Sequence, residues 1–219
     1  YILAGVSLDT FVVFPVGTLL AESFGWSSAF EAAAGLTVVV ALLIAVCLPS
    51  LPSQRNAGIA QMLSLVGDQN MRRRFAAGLL ICVGHFAAYT FMAPFVLEVA
   101  GISGQTLGSL LFAFGLASVA GNLAGGALAA RDPATAVLTM TVLMFSALAA
   151  LLAFGSSAWL LWPVVLVWGF AFGMVPITIQ IWCFDASGGR IEGVQALIVC
   201  VINLSIGGGA FLGGVVADY

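Results

Sequence analysis

The chain has no lysine, one histidine and six arginines among 219 residues, and charged side chains of both signs make up only 7%. Without a lysine there is no amine for the Schiff base of a retinal-type receptor or pump. With a net charge of −3 there is no basic patch to neutralise phosphates, so nucleic acid is excluded as a partner. The four cysteines, Cys47, Cys82, Cys183 and Cys200, stand singly in or at the ends of apolar stretches. With no C-x-x-C pair and no histidine nearby, they read as small buried hydrophobes rather than disulfide partners or metal ligands. Neither a metal nor a cofactor is expected.

What fills the chain instead is hydrocarbon. The AVILMFWYC group reaches 62%, against about 45 to 50% apolar and about 25% charged residues in soluble domains. Seven apolar runs lie at approximately 1–21, 29–48, 75–97, 106–129, 134–154, 159–183 and 194–217. At about 1.5 Å per helical residue, each is long enough to cross a hydrocarbon core of about 30 Å. The fold class expected is an all-α integral membrane protein. All six arginines (Arg55, Arg72, Arg73, Arg74, Arg131 and Arg190) fall in alternate gaps between the runs, and the gaps around 22–28, 98–105 and 155–157 hold none. Cationic side chains are retained on the cytoplasmic face, which sets the topology.

The one extended polar stretch, residues 49–74, opens on Pro/Ser turn chemistry and closes on Arg72-Arg73-Arg74. It is expected to be a cytoplasmic connector, with residues 1–48 ending one bundle and 75–219 beginning another. Within it, residues 59–67 read as either a short amphipathic helix along the inner surface or a plain linker. The chain opens on Tyr1 in mid-run and closes on Asp218-Tyr219 as another run ends, as a fragment of a longer protein would.

Glycines recur four apart at Gly121 and Gly125, Gly169 and Gly173, and Gly209 and Gly213. In lipid, small residues let helix backbones approach closely, and the same smooth faces also suit helices that rock against one another. The first run, with Pro15 and Gly17, and the last, with Gly209 and Gly213, are both small-residue spans closing on a carboxylate at the outer face. This is a faint internal echo of the repeats found in transporters.

Polar groups at membrane depth are expensive, so each is a candidate site residue. Asp9, His85, Tyr89, Asn122, Gln180 and Asn203 qualify. His85, Tyr89 and Met92 share one helical face by their spacing. His85 titrates in the physiological range when unperturbed and is a candidate proton carrier, as are Asp9 and Glu98; the alternative for His85 is a neutral ring satisfied by a backbone carbonyl. Gly169, Gly173, Pro176 and Gln180 share another face, with Trp168 and Phe172 beside it. Pro176 removes a backbone hydrogen bond and is expected to bend that helix. A bent helix carrying aromatics and an amide suits a partly apolar or ring-shaped solute, and ordinary packed rings would look the same.

Two other classes are open to test. Gly101-Ile102-Ser103-Gly104 matches the G-x-S-G of intramembrane serine proteases, but the only histidine lies on the preceding span and Ser103 falls in an outer loop, far from any base. A channel would also use polar helix faces, yet no acidic ring or filter-like loop appears.

Three groups of residues resemble the major facilitator superfamily, specifically its drug:proton antiporter branch of bacterial arabinose, purine-nucleoside and drug exporters. They are Pro15-Val16-Gly17-Thr18 with Phe24-Gly25-Trp26 and Leu48-Pro49-Ser50-Leu51-Pro52; Tyr89-Thr90-Phe91-Met92-Ala93-Pro94-Phe95 with Gly101-Ile102-Ser103; and Trp168-Gly169-Phe170-Ala171-Phe172-Gly173 through Val175-Pro176, Gln180 and Trp182. The resemblance implies spans five to eleven of a twelve-helix bundle in the bacterial inner membrane. It further implies a monomer that exchanges protons for a small organic solute by alternating access and is not an enzyme. The helices carrying His85, Tyr89 and Gln180 would line its cavity. Two positions depart from the branch pattern. Val13 and Phe14 stand before Pro15 where a glycine is usual, and Ala130 replaces the acid before Arg131.

Overall fold

The computed structural model describes residue 20, residues 24–47 and residues 59–217, and its regular elements there are all helices. The run at 1–21, with Asp9, Pro15 and Gly17, lies outside the described residues except for Leu20, as do connector residues 48–58. The described residues form two units, one ending at residue 47 and the other beginning at residue 59.

The first unit is helix α1 (Trp26–Cys47). Ahead of it Gly25 adopts φ 89°, a left-handed turn open to glycine, and the Ser28 hydroxyl donates to the Gly25 carbonyl at 2.7 Å. None of the residues of α1 is buried, and apolar side chains surround it on every side. A helix apolar all round belongs in lipid or against other helices.

The second unit runs α2 (Ile59–Gly67), α3 (Gln69–Thr90), α4 (Met92–Glu98), α5 (Gly104–Ala129), α6 (Pro133–Phe154), α7 (Ala158–Asp185) and α8 (Ile191–Ala217). Among the described residues six segments are long and apolar enough to cross a membrane: Trp26–Cys47, Gln69–Glu98, Gly104–Ala129, Pro133–Phe154, Ala158–Asp185 and Ile191–Val216. They coincide with six of the seven apolar runs.

Boundaries follow local chemistry. Asp68 caps α3 by accepting from the backbone N–H groups of Asn70 and Met71, so the helix starts at Gln69 and takes Arg72, Arg73 and Arg74 into its first turns rather than leaving them in a loop. The expected single helix over 75–97 breaks at Phe91. Pro94 has no N–H for the carbonyl of Thr90, and its ring crowds that carbonyl, so α4 restarts at Met92. Asp132 caps α6 with Pro133 at the first helical position. Gly188 and Gly189, at φ 59° and 85°, turn the chain from α7 into α8. Helix α7 stays continuous through Pro163 and Pro176.

The connector segment 59–67 is a helix, not a plain linker. Its Leu65 is fully buried, and a Cβ added to Gly193 at the start of α8 would stand 3.0 Å from the Leu65 side chain. Helix α2 therefore docks on α8 through an apolar contact.

Helices α5 and α7 touch backbone to backbone. A Cβ built on Gly121 would lie 1.9 Å from the Phe170 carbonyl oxygen, and one on Gly173 would lie 1.9 Å from that of Ser118. Gly169 faces the Phe114 backbone and Gly125 faces Met174 in the same seam. Asn122 crosses it, donating from Nδ2 to the Gly173 carbonyl at 3.3 Å. A second seam joins α3 to α8, where Gly209 and Gly213 meet the carbonyls of Val83 and Ala87, each 2.8 Å from an added Cβ. Such contacts substitute for a hydrophobic drive that lipid does not supply.

Candidate functional site

The α5–α7 seam positions a cluster of rings around the single histidine. His85 and Tyr89 lie one turn apart on α3, and Trp168 and Phe172 one turn apart on α7. Because Gly169 has no side chain, α5 comes close enough for Phe114 to reach Trp168 at 5.7 Å between ring centroids. Phe172 stacks on the imidazole at 3.8 Å and 6°, and Tyr89 at 5.4 Å and 21°. Phe86 meets the imidazole edge-on at 4.9 Å. Favourable ring pairs contribute roughly 0.5 to 1.5 kcal/mol each beyond their burial.

The polar part of this cluster is one hydrogen bond. The indole N–H of Trp168 donates to His85 Nδ1 at 3.1 Å, so the expected backbone-carbonyl partner is replaced by a side chain from another helix. A neutral imidazole has one acceptor and one donor, and with Nδ1 accepting, the proton belongs on Nε2. That Nε2 is buried and has no partner among the described residues. A buried donor left unmade costs about 1 to 3 kcal/mol. His85 is 1% exposed and Trp168 0%, whereas Tyr89 and Phe172 are half-buried and form the accessible part of the cluster.

The other expected site residues are dispersed. Met92 lies beyond the Phe91 break and is buried, and Glu98 is exposed at the end of α4. Gly169, Gly173, Pro176 and Gln180 do share a helical face, but different neighbours cover it at different heights. The two glycines meet α5. Pro176 borders a narrow apolar cleft between α3, α7 and α8, lined also by Gly78, Cys82 and Ile198. Gln180 reaches α8, where its Nε2 donates to Gln195 Oε1. Asn203 is exposed and donates to the Val199 carbonyl of its own helix.

Phe114 and Gln195 were not visible as candidates in the sequence. Phe114 is one of sixteen phenylalanines, and Gln195 stands at the edge of an apolar run, where a polar residue reads as a loop. The partners of the arginines were equally hidden. Arg74 donates to the Trp182 carbonyl, covers the Trp182 ring at 4.8 Å and lies 3.9 Å from Asp185. Arg190 joins Asp68 at 3.4 Å, Ser64 at 3.3 Å and the Ser187 carbonyl at 2.8 Å. The backbone N–H groups of Met71 and Asn70, with smaller help from Arg190, hold the Asp68 carboxyl below its usual value. Asp132 is lowered in the same way by the Thr135 hydroxyl and by backbone N–H groups.

Ser103 caps α5. Its hydroxyl accepts from the Thr106 N–H at 3.2 Å and pairs with the Thr106 hydroxyl at 2.9 Å, a structural task, and its hydrogen bonds among the described residues include no base.

Comparison with known proteins adds two findings. The profile of the Major Facilitator Superfamily matches residues 1–214. Curated relatives include a probable sugar efflux transporter of Helicobacter acinonychis, 28% identical over 97% of this chain and 54% of its own length. The purine ribonucleoside efflux pump NepI of Salmonella paratyphi C is 27% identical over 99% of this chain and 55% of its own. The chain thus spans about half the length of the curated relatives it matches.

Proposed function

The chain belongs to the Major Facilitator Superfamily, a multi-pass integral membrane protein family, and from that premise we propose that it is part of a secondary active exporter of small organic solutes. In this reading residues 1–48 close the first bundle, 49–74 form the cytoplasmic connector and 75–219 build most of the second. The whole protein is a monomer in the bacterial inner membrane. It works by alternating access and takes protons in exchange for solute. It is a carrier, and no residue acts as a catalytic nucleophile.

The observation that carries this reading is the ring cluster, whose His85 Nε2 has no partner among the described residues. A ring-bearing solute stacks on Tyr89 and Phe172, and an acceptor on it satisfies the donor behind them when these rings move aside. Relatives named for sugars and a purine ribonucleoside support solutes of this size and polarity. Of the candidate proton carriers, Glu98 is exposed at the end of α4, away from the ring cluster, and Asp9 lies outside the described residues. His85 carries a proton only when Trp168 releases Nδ1, which ties its protonation to movement of α7.

The test is export by the full-length protein in vesicles. Wild type is expected to show saturable export that follows an imposed proton gradient. His85→Ala and Gln180→Ala are each expected to lower it by about tenfold, a loss of roughly 1.4 kcal/mol. If both variants leave export and its pH dependence unchanged, the site assignment is wrong.

A further inference from the structure

Gln180 and Gln195 are the side chains of α7 and α8 that meet amide to amide, and both are half-buried. A primary amide offers two donor hydrogens and an acceptor oxygen. One donor and one acceptor are consumed between them. The Gln180 oxygen and the Gln195 NH₂ have no other protein partner among the described hydrogen bonds. Turning both amides over together exchanges which residue supplies each group, and the pair still presents an acceptor beside a donor.

Their position is at the arginine-bearing end. Gln180 lies about 7 Å along α7 from its end at Asp185, and Gln195 about 6 Å along α8 from its start at Ile191, at 1.5 Å per residue. Phe172 is about 12 Å further into the span. The amides thus precede the ring cluster for anything arriving from that side. The nearby charges are occupied with one another, Arg74 with Asp185 and Arg190 with Asp68, while Arg72, Arg73 and Glu192 are exposed at helix ends. The amides themselves are neutral hydrogen-bonding groups.

We propose that the Gln180–Gln195 amide pair is a specificity site that reads hydroxyl groups of an uncharged solute before it reaches the ring cluster. A hydroxyl donates to the amide oxygen while a neighbouring oxygen accepts from the amide NH₂, which is the pattern of a vicinal diol. The pair keeps two helices together when empty and exchanges water for solute when filled. This inference rests on the exporter reading above.

The experiment measures export of a purine ribonucleoside and of its 2′,3′-dideoxy analogue by full-length wild type, Gln195→Leu and Gln180→Leu in inside-out vesicles, with detergent melting of each variant as a control. Wild type is expected to prefer the ribonucleoside. Each leucine variant should raise KM for the ribonucleoside about tenfold, leave KM for the dideoxy analogue and kcat within about twofold, and so erase the preference. Preference retained in a folded variant overturns the proposal, as does an equal loss for both solutes. If a leucine variant fails to fold, Gln195→Glu replaces it. The added carboxylate keeps an acceptor but loses the NH₂ donor, and a preference unchanged in that variant overturns the proposal too. Absence of saturable export of either solute by wild type, with an arabinose control also negative, would instead sink the exporter reading itself.

Discussion

Trp168 donates its indole hydrogen to His85 across 83 positions of sequence, and that one bond sets which imidazole nitrogen is a donor. It links α3 to α7 at the height of the ring cluster. Losing the bond costs more than its own energy, because each partner is buried and neither side chain has another hydrogen bond among the described residues.

Trp168→Phe keeps a ring in the cluster while leaving His85 Nδ1 a buried acceptor with no donor. Melting of the full-length protein in detergent should show a loss of about 1 to 3 kcal/mol. His85→Phe strands the indole instead and should lose a similar amount. The double variant removes both polar atoms, so its loss is expected to be smaller than the sum of the two. An additive double variant would show that the bond contributes nothing.

In the α5–α7 seam, a methyl group has nowhere to go. Gly121→Ala and Gly173→Ala each place a carbon 1.9 Å from a carbonyl oxygen of the facing backbone, and backbone moves only by parting the helices. Overpacking of this kind costs about 1 to 3 kcal/mol or more. Gly84→Ala meets nothing within 4 Å and should melt like wild type. Equal melting temperatures for all three variants would contradict the seam.

Acid should loosen the contact between α2 and α8. The Asp68 carboxyl is held below the usual aspartate value of 3.8 by its capping N–H groups and Arg190. Its stabilising effect is therefore complete above that value and lost as pH falls through the lower, folded-state pKa. Cysteine accessibility on α2 should be constant between roughly pH 5 and 8 and rise only in stronger acid. Asp68→Asn retains the cap but weakens the bond to Arg190, so it should raise accessibility less than Asp68→Ala, which loses both. Asp68→Ala as protected as wild type would show that the contact does not hold α2.

Orientation has its own test. In a cysteine-free background, Asn70→Cys beside the arginine cluster should resist an impermeant maleimide in intact cells, and Ser156→Cys should react. Both positions are exposed on the protein surface. Equal labelling would remove the topology on which the exporter reading depends.

The spans were legible because hydrophobicity and the placement of arginine are local properties, read one residue at a time. The pairs of glycines four apart were legible too, since only a residue without a side chain leaves room for a facing carbonyl oxygen that would stand 1.9 Å from a Cβ. Pro94 was in view, yet its consequence was not read; the break it makes at Phe91 follows from the same steric rule as the bend expected at Pro176. Helix α7, by contrast, continues through Pro176.

Composition and order along the chain by themselves determined that this is a bundle of lipid-crossing helices with its cations gathered between alternate pairs, because a bilayer sorts side chains by polarity whatever their neighbours. Only the tertiary structure decided that His85 meets Trp168 rather than a carbonyl, that Gln180 meets Gln195, and that Arg190 meets Asp68. Those partners come from different helices or, for Asp68 and Arg190, from the residues that precede α3 and α8, and the heights at which helices cross, set by where glycines let them approach, choose which side chains face one another.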